Sequence, residues 1–128
     1  MNGVSKKLII LESDPLIATL IETEVREYGW EVDGVASDED AALDFLKTVR
    51  PDLAILDIGL DSLNDTRIAA ACRSRGTPFV LMTGSARREV PAEWELAAVV
   101  AKPFTSEDLR LGMEEALKRA SLISLRDS

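Results

Sequence analysis

The sequence predicts an α/β fold built on a doubly wound, five-stranded parallel sheet with helices on both faces. Short apolar runs alternate with stretches of helical periodicity, and short connections join them. Two of these runs, Leu8–Leu11 and Leu53–Leu56, are apolar throughout, which is typical of strands covered on both faces. Right-handed crossovers between parallel strands then place helices on both sides of the sheet.

The first strand and the first helix have clear boundaries in the sequence. Leu8–Leu11 forms the strand, which ends at Glu12. Asp14 followed by Pro15 predicts an N-cap with proline at the first helical position, and Gly29 is expected to end the helix. Between these limits apolar residues recur at helical spacing, at Ile17, Leu20, Ile21, Val25 and Tyr28.

The second strand and the second helix are marked by turn and capping residues. A short strand is expected over Glu31–Ala36, with an interruption at Gly34. Ser37, with Asp40 three residues later, resembles a capping box that opens the second helix. Pro51 ends this helix because proline cannot continue it.

The second half of the chain continues the same alternation. Its strands and helices are predicted, in order, at Leu53–Leu56, Asp65–Arg75, Phe79–Met82, Ala97–Ala101 and from Ser106 onward. Between residues 85 and 95, charged residues and Pro91 break the pattern, so the fourth helix is expected to be short or displaced. The last residues are expected either to fray or to extend the last helix through Leu122 and Ile123.

Composition favours one acidic domain over residues 1–128, with a core at about 7–122, a tail at 123–128 and no output domain. A net charge of -8 would repel a phosphate backbone, so direct binding of nucleic acid is not expected. The chain has no histidine, which excludes histidine-dependent catalysis and histidine metal sites. The lone Cys72 and the lack of a long apolar run predict a cytoplasmic protein without membrane association.

Four strands of the predicted sheet end in polar residues. Glu12, Asp57, Thr83 and Lys102 each follow or close an apolar run. In an open doubly wound sheet the carboxyl ends of the strands meet at one edge, where ligands bind. We therefore expect two carboxylates, a hydroxyl and an ammonium group to lie close together, although each residue alone could simply be a solvated strand end.

Four motifs make the chain similar to a known family. They are Glu12–Pro15, Pro51–Asp57, Met82–Gly84 and Lys102–Phe104. In this order and spacing they resemble the receiver domain of response regulators in two-component signalling, a CheY-like module with a flavodoxin-like fold. The resemblance covers Lys7 to about Leu122 and implies the strand order 2-1-3-4-5.

The resemblance implies a role for each residue at the strand ends. Asp57 would accept a phosphoryl group from a phosphohistidine on a histidine kinase or a histidine phosphotransfer protein. Mg²⁺ would be held by Glu12, Asp57 and the backbone carbonyl of Gly59. Lys102 would pair with Asp57 and then with the phosphoryl group, and the Thr83 hydroxyl would relay the signal.

The chain also departs from the family pattern. Ser13 stands where receivers usually carry a second metal-binding acid, so Mg²⁺ is expected to bind weakly unless Ser13 or Asp14 completes its ligands. Asp14 has a competing role as an N-cap. Val99 stands where many receivers carry an aromatic switch residue. The resemblance further implies a cis bond between Lys102 and Pro103.

Two hypotheses of function remain open at this point. The first is a stand-alone receiver, not an enzyme beyond self-catalysed phosphotransfer and dephosphorylation, that relays its signal by protein–protein interaction. Its output partner would be a downstream protein or a second copy, bound through the fifth strand and the fourth and fifth predicted helices. The second is a receiver-like interaction module that acts independently of phosphorylation, which Ser13 and Val99 favour.

Overall fold

A five-stranded parallel sheet forms the centre of the fold. The computed structural model of the chain describes residues 6–57, 67–83 and 97–126, with side chains described as far as residue 123. The strands are β1 (Lys7–Leu11), β2 (Glu31–Ala36), β3 (Leu53–Asp57), β4 (Phe79–Thr83) and β5 (Ala97–Ala101). The helices are α1 (Pro15–Glu27), α2 (Glu39–Thr48), α3 (Arg67–Arg75) and α4 (Ser106–Arg126). The strand order is β2-β1-β3-β4-β5, which confirms the predicted topology.

The central strands are buried on both faces and divide the core into two layers. Along β1, Leu8 and Ile10 pack in one layer while Ile9 and Leu11 pack in the other, because successive side chains of a strand point to opposite faces. Ile21 of α1 and Leu109 of α4 pack with the first layer. The second layer contains buried residues of α2 and α3, namely Ala42, Leu46, Ile68, Ala69 and Cys72. The sheet is therefore doubly wound, as the apolar runs predicted.

Strand β2 is continuous through Gly34, where an interruption was expected. The register between β1 and β2 shifts there, since Leu8 pairs with Val32 while Ile9 pairs with Gly34. A Cβ at Gly34 would lie 2.6 Å from the Phe45 ring of α2. The glycine is thus explained by the close approach of α2 to this strand.

The caps of α1 and α2 lie at aspartates. Asp14 caps α1, as predicted, and Pro15 is its first residue. The capping box predicted at Ser37 is wrong, because the N-cap of α2 is Asp38, whose Oδ1 accepts a hydrogen bond from the Ala41 N–H at 2.8 Å. Asp38 has extended backbone and directly precedes Glu39, so its side chain reaches the third helical N–H.

Helix α4 begins with a reciprocal capping box that the sequence prediction missed. The Thr105 N–H donates to the Asp108 carboxylate at 2.9 Å, and the Asp108 N–H donates to the Thr105 hydroxyl at 3.0 Å. The helix starts at Ser106, as predicted, and continues to Arg126. The alternative in which the C-terminal residues extend the last helix is therefore the one observed as far as Arg126.

Some sequence predictions lie outside the described residues. These are Gly59 and its loop, the first two residues of the third predicted helix, and the displaced fourth helix near Pro91. None of the four described helices combines the length and the apolar character needed to cross a membrane.

Candidate functional site

The carboxyl ends of neighbouring strands bring the predicted site residues to one edge of the sheet. Asp57 is the last residue of β3 and Thr83 the last of β4, while Glu12 directly follows β1. Lys102 directly follows β5. Since β1, β3, β4 and β5 are successive neighbours in the sheet, side chains distant in sequence converge at this edge.

Lys102 joins the two carboxylates of the site. Its Nζ lies 2.7 Å from Asp57 Oδ2 and 3.4 Å from Glu12 Oε1. The Glu12 side chain is only 2% exposed, whereas Asp57 is 22% and Lys102 27% exposed. A charged partner can therefore reach Asp57 and Lys102 from solvent, while Glu12 lies beneath them.

Glu12 is held in place by a local backbone hydrogen bond. Its Oε2 accepts a bond from the Asp14 N–H at 3.0 Å. Burial raises the pKa of Glu12, and the neighbouring Asp57 carboxylate raises it further through a hydrogen bond and its negative charge. The Asp14 N–H and the Lys102 ammonium oppose this shift without cancelling it. Both carboxylates thus lie within ion-pair distance of the same Lys102 ammonium group.

Lys102 stays cationic in this setting. Partial burial by itself lowers the pKa of Lys102, but the ion-paired hydrogen bond to Asp57 and the charge of Glu12 raise it above its ordinary value. The site therefore contains one fixed positive charge and two carboxylates at close range. Such a site is suited to bind a cation, or to bind an anionic group beside a carboxylate oxygen once a cation offsets the charge.

Thr83 is tied to the segment that carries Lys102. The residue is only 6% exposed, and its carbonyl oxygen accepts a hydrogen bond from the Lys102 N–H at 2.7 Å. The peptide bond between Lys102 and Pro103 is cis, as the resemblance implied. The backbone of Lys102 is thus fixed directly on β4, next to Asp57 on β3.

Ser13 and Asp14 lie at the exposed side of the site. The Asp14 Oδ1 caps α1, accepting hydrogen bonds from Leu16 N–H at 2.9 Å and Ile17 N–H at 3.4 Å. Within the described ranges no group of three acidic, histidine or cysteine side chains is arranged to hold a metal ion. Gly59, predicted to supply a backbone carbonyl, lies outside the described residues.

The carboxylates present still fit a magnesium ion. Mg²⁺ keeps several waters and is commonly bound through one or two carboxylates together with substrate phosphate oxygens. Glu12 and Asp57 converge on the same Lys102 ammonium, so both already point towards a single positive charge. The residues that would hold the ion are therefore Glu12 and Asp57.

The sequence prediction missed two contacts of this site. It paired Lys102 with Asp57 but not with Glu12, and it did not foresee that Glu12 is bonded to the Asp14 N–H. The available signal was the position of Glu12 directly after a fully buried strand, where a carboxylate requires a local donor or a cation.

Comparison with protein families finds one match over most of the chain. The family model described as "Response regulator receiver domain" matches residues 8–114. Among curated proteins, the chain is 29% identical over 121 residues to the transcriptional regulatory protein PdtaR of Mycobacterium tuberculosis. The aligned part is 91% of this chain and 59% of PdtaR. The chain thus spans little more than half the length of this relative.

Solved structures show the same fold. The signal receiver domain of a modulated diguanylate cyclase from Desulfovibrio desulfuricans G20 superposes with a TM-score of 0.74 at 23% identity, covering 93% of this chain and 98% of that one. The BeF3-activated conformation of SdrG from Pseudomonas melonis Fr1 gives a TM-score of 0.71 at 26% identity. That match covers 91% of this chain and 99% of the SdrG chain.

Proposed function

Because the chain belongs to the family of response regulator receiver domains, which are signalling domains and not classical enzymes, we propose that Asp57 is its phosphoacceptor. The donor is a phosphohistidine on a histidine kinase or a histidine phosphotransfer protein. These 128 residues contain no histidine, so the donor histidine lies outside them. The phosphorylated domain then acts by a changed affinity for a protein partner.

The observation that carries this proposal is the contact between Lys102 and Asp57. The Lys102 Nζ lies 2.7 Å from Asp57 Oδ2, so a phosphoryl group on that carboxylate would have an ammonium donor at hydrogen-bonding distance. Asp57 is also partly exposed, which allows a donor protein to approach it. Glu12 is too deeply buried to act as the acceptor.

The reaction is a transfer of one phosphoryl group. A carboxylate oxygen of Asp57 attacks the phosphorus, the P–N bond to the donor imidazole breaks, and the bonding electron pair stays on the imidazole nitrogen. The products are an aspartyl phosphate and the free histidine of the donor. Lys102 exchanges its contact with Asp57 Oδ2 for a phosphoryl oxygen, which offsets part of the added negative charge.

A divalent cation is the proposed cofactor of this transfer. Receiver domains generally bind Mg²⁺ at the phosphorylation site, and a bound ion would offset part of the negative charge of the carboxylates and the phosphoryl group. Glu12 and Asp57 supply the carboxylates in this chain, with the backbone carbonyl of Gly59 as the proposed third ligand. Ser13 adds no charge, so the affinity for Mg²⁺ is low for a receiver.

Thr83 is the proposed relay from the phosphoryl group to the surface. It ends β4 beside Asp57 on β3, and its carbonyl is bonded to the Lys102 N–H. A new bond between its hydroxyl and a phosphoryl oxygen would shift the end of β4 and the segment after β5 together. The resulting surface change includes β5, where Val99 is 42% exposed.

The direct test is the intact mass of the protein after incubation with acetyl phosphate. We expect one phosphoryl adduct that requires Mg²⁺ and is absent in Asp57→Asn. The matched control is Asp52→Asn, which alters the exposed aspartate before the same strand and should label like the wild type. An undiminished adduct in Asp57→Asn would disprove the assignment of the acceptor.

A second candidate function is favoured by position 13, where receivers usually carry a second metal-binding acid. Ser13 is exposed and uncharged, and the Asp14 Oδ1 is engaged in capping α1. In this alternative the domain binds a protein partner independently of phosphorylation. Titration with Mg²⁺ separates the two functions. A phosphoacceptor requires saturable Mg²⁺ binding, and this binding should be weaker in Asp57→Asn. A module that acts independently of phosphorylation has no such requirement.

A further inference from the structure

A cleft of about 430 Å³ lies at the edge of the sheet opposite the Asp57 site. It is lined by the residues that lead into β3 and β4, among them Asp52 and Thr77, and by the ends of α2 and α3. Strand β3 separates it from Asp57 by five residues, or roughly 16 Å at 3.3 Å per residue. The cleft is therefore a separate feature from the site already described.

Two arginines without an acidic partner line this cleft. Of the arginines whose side chains the structure describes, residues 26, 67, 110 and 119 form ion pairs with carboxylates. Within the same described ranges, Arg50, Arg73 and Arg75 form no ion pair, and Arg50 and Arg75 both border the cleft. In an acidic chain with carboxylates in excess, two unpaired guanidinium groups at one cleft are a distinctive local positive charge.

One acidic residue also lines the cleft, so its two arginines leave a net formal charge of one positive unit in the lining. Asp52 is the acidic residue of the lining, and its Oδ2 accepts a hydrogen bond from the Lys7 N–H at 2.9 Å. The end of α3 is closed by two backbone bonds, from Gly76 to the Arg73 carbonyl at 3.1 Å and from Thr77 to the Cys72 carbonyl at 2.8 Å. Because these two carbonyls are hydrogen-bonded, the negative potential that the C-terminus of α3 adds near the cleft is reduced.

The rest of the lining is small and rigid. Thr77 is only 7% exposed yet borders the cleft, and it is the one residue of the lining that carries a hydroxyl group. Pro51 and Pro78 are buried and fix the two chain segments on either side. A ligand would thus enter a preformed space in which two guanidinium groups and one hydroxyl can donate hydrogen bonds.

We propose that this cleft binds a small polyanion bearing phosphate or carboxylate groups, through Arg50, Arg75 and Thr77. Guanidinium groups form paired hydrogen bonds with both kinds of oxyanion, so the chemistry is shared by the two ligand classes. The volume admits a molecule larger than one inorganic phosphate. This binding is independent of phosphoryl transfer at Asp57.

The test is calorimetric titration of the full chain with pyrophosphate and, separately, with citrate, in metal-free buffer at constant ionic strength. We expect saturable binding by the wild type and a loss of about ten-fold or more in affinity in Arg50→Gln and in Arg75→Gln. Arg73→Gln is the matched control, since Arg73 is also unpaired and lies on α3 but does not border the cleft. It should keep the wild-type affinity.

Each outcome decides the proposal. Binding of pyrophosphate alone assigns a phosphate-bearing ligand, and binding of citrate alone assigns a polycarboxylate. Either result supports the proposal when Arg50→Gln and Arg75→Gln both lose the binding. No saturable binding of either probe up to about 10 mM overturns it. An equal loss in Arg73→Gln also overturns it, because the effect would then reflect general charge and not the cleft.

Discussion

Glu12 is a deeply buried carboxylate whose protonation the fold favours. Burial and the neighbouring Asp57 raise its pKa, so the folded protein holds this proton to a higher pH than the unfolded chain does. Between the ordinary value of 4.5 and the raised value, the folded state binds more protons than the unfolded state. In that window the free energy of unfolding must fall as pH rises.

The first prediction therefore concerns Glu12→Gln in metal-free buffer. Glutamine keeps an acceptor for the Asp14 N–H but does not titrate. As pH rises above 4.5, the free energy of unfolding of this variant should increase relative to that of the wild type. Urea unfolding from pH 4 to 8 measures the difference, and Glu27→Gln, at an exposed position of α1, is the control. If the free energy of unfolding depends on pH in the same way in the wild type and in Glu12→Gln, the raised pKa of Glu12 is contradicted.

Ser13 is the residue at which the proposed metal site differs most from the family pattern. It is exposed and directly follows Glu12, so a carboxylate there would face solvent beside the two existing acids. The added charge should strengthen binding of a hard cation, since affinity rises with the number of charged oxygen ligands.

The second prediction is that Ser13→Asp binds Mg²⁺ on the order of ten-fold more tightly than the wild type. Ser13→Asn is the control, because asparagine has nearly the same shape without the charge. Fluorescence or calorimetric titration with Mg²⁺ gives the two dissociation constants. If Ser13→Asp and Ser13→Asn bind the ion equally, Ser13 does not occupy the second acidic position.

At the scale of the elements, Asp14 at the N-terminus of α1 has two interpretations, as a cap of the helix and as a metal ligand. Its carboxylate accepts hydrogen bonds from two backbone N–H groups of the first helical turn. An aspartate in this role stabilises the helix by about 1 kcal/mol relative to alanine, and asparagine is an equally good cap.

The third prediction compares two changes at this position. Asp14→Ala should lower the free energy of unfolding by about 1 kcal/mol, whereas Asp14→Asn should leave it close to that of the wild type. Neither change should weaken Mg²⁺ binding by more than about two-fold, because the side chain is engaged by the helix. Chemical denaturation and Mg²⁺ titration measure the two effects. A large loss of affinity in Asp14→Asn would make Asp14 a metal ligand.

Helix α4 packs on β5 through a glycine. A Cβ placed at Gly112 would overlap the Val100 side chain, which is only 4% exposed. Alanine in a helix interior is favoured over glycine by about 1 kcal/mol, but overpacking a buried contact costs about 1–3 kcal/mol. The close approach of the helix to the strand thus depends on the absence of a side chain here.

The fourth prediction is that Gly112→Ala lowers the free energy of unfolding by about 1 kcal/mol or more. The partner variant Val100→Ala removes the methyl groups that the new Cβ would meet. In the double variant, adding alanine at 112 should no longer be destabilising, and a double-mutant cycle from urea denaturation measures this coupling. Strictly additive effects would show that the two side chains do not limit the packing.

At the scale of the whole molecule, the short and continuous apolar runs were sufficient to predict a doubly wound parallel sheet, whereas the strand order followed from the family resemblance. Leu8–Leu11 and Leu53–Leu56 are buried on both faces, as a parallel sheet requires. The cap of α2 was predicted one residue early, because Ser37 and Asp38 are both good capping residues and only the backbone selects between them.

The site was harder to predict than the fold, because its contacts depend on distances between strands. The position of Asp57 at a strand end follows from the sequence, and its pairing with Lys102 was expected from the family pattern. The second contact of Lys102, with Glu12, arises from the placement of β1 beside β3 and from the depth of Glu12 below the surface. Likewise, Arg50 and Arg75 come to line one cleft only in the folded chain, because they are distant in sequence.

The central claim is that Asp57, and no other carboxylate, receives the phosphoryl group. The most direct measurement is to label the wild-type protein with acetyl phosphate and Mg²⁺, reduce the acyl phosphate with borohydride, and locate the product by tandem mass spectrometry. We expect the aspartate at position 57 to be reduced to homoserine, and we expect no reduction there when Mg²⁺ is omitted. Reduction at another carboxylate, such as Asp52 or Glu12, or no reduction at position 57 under conditions that label a standard receiver, would contradict it.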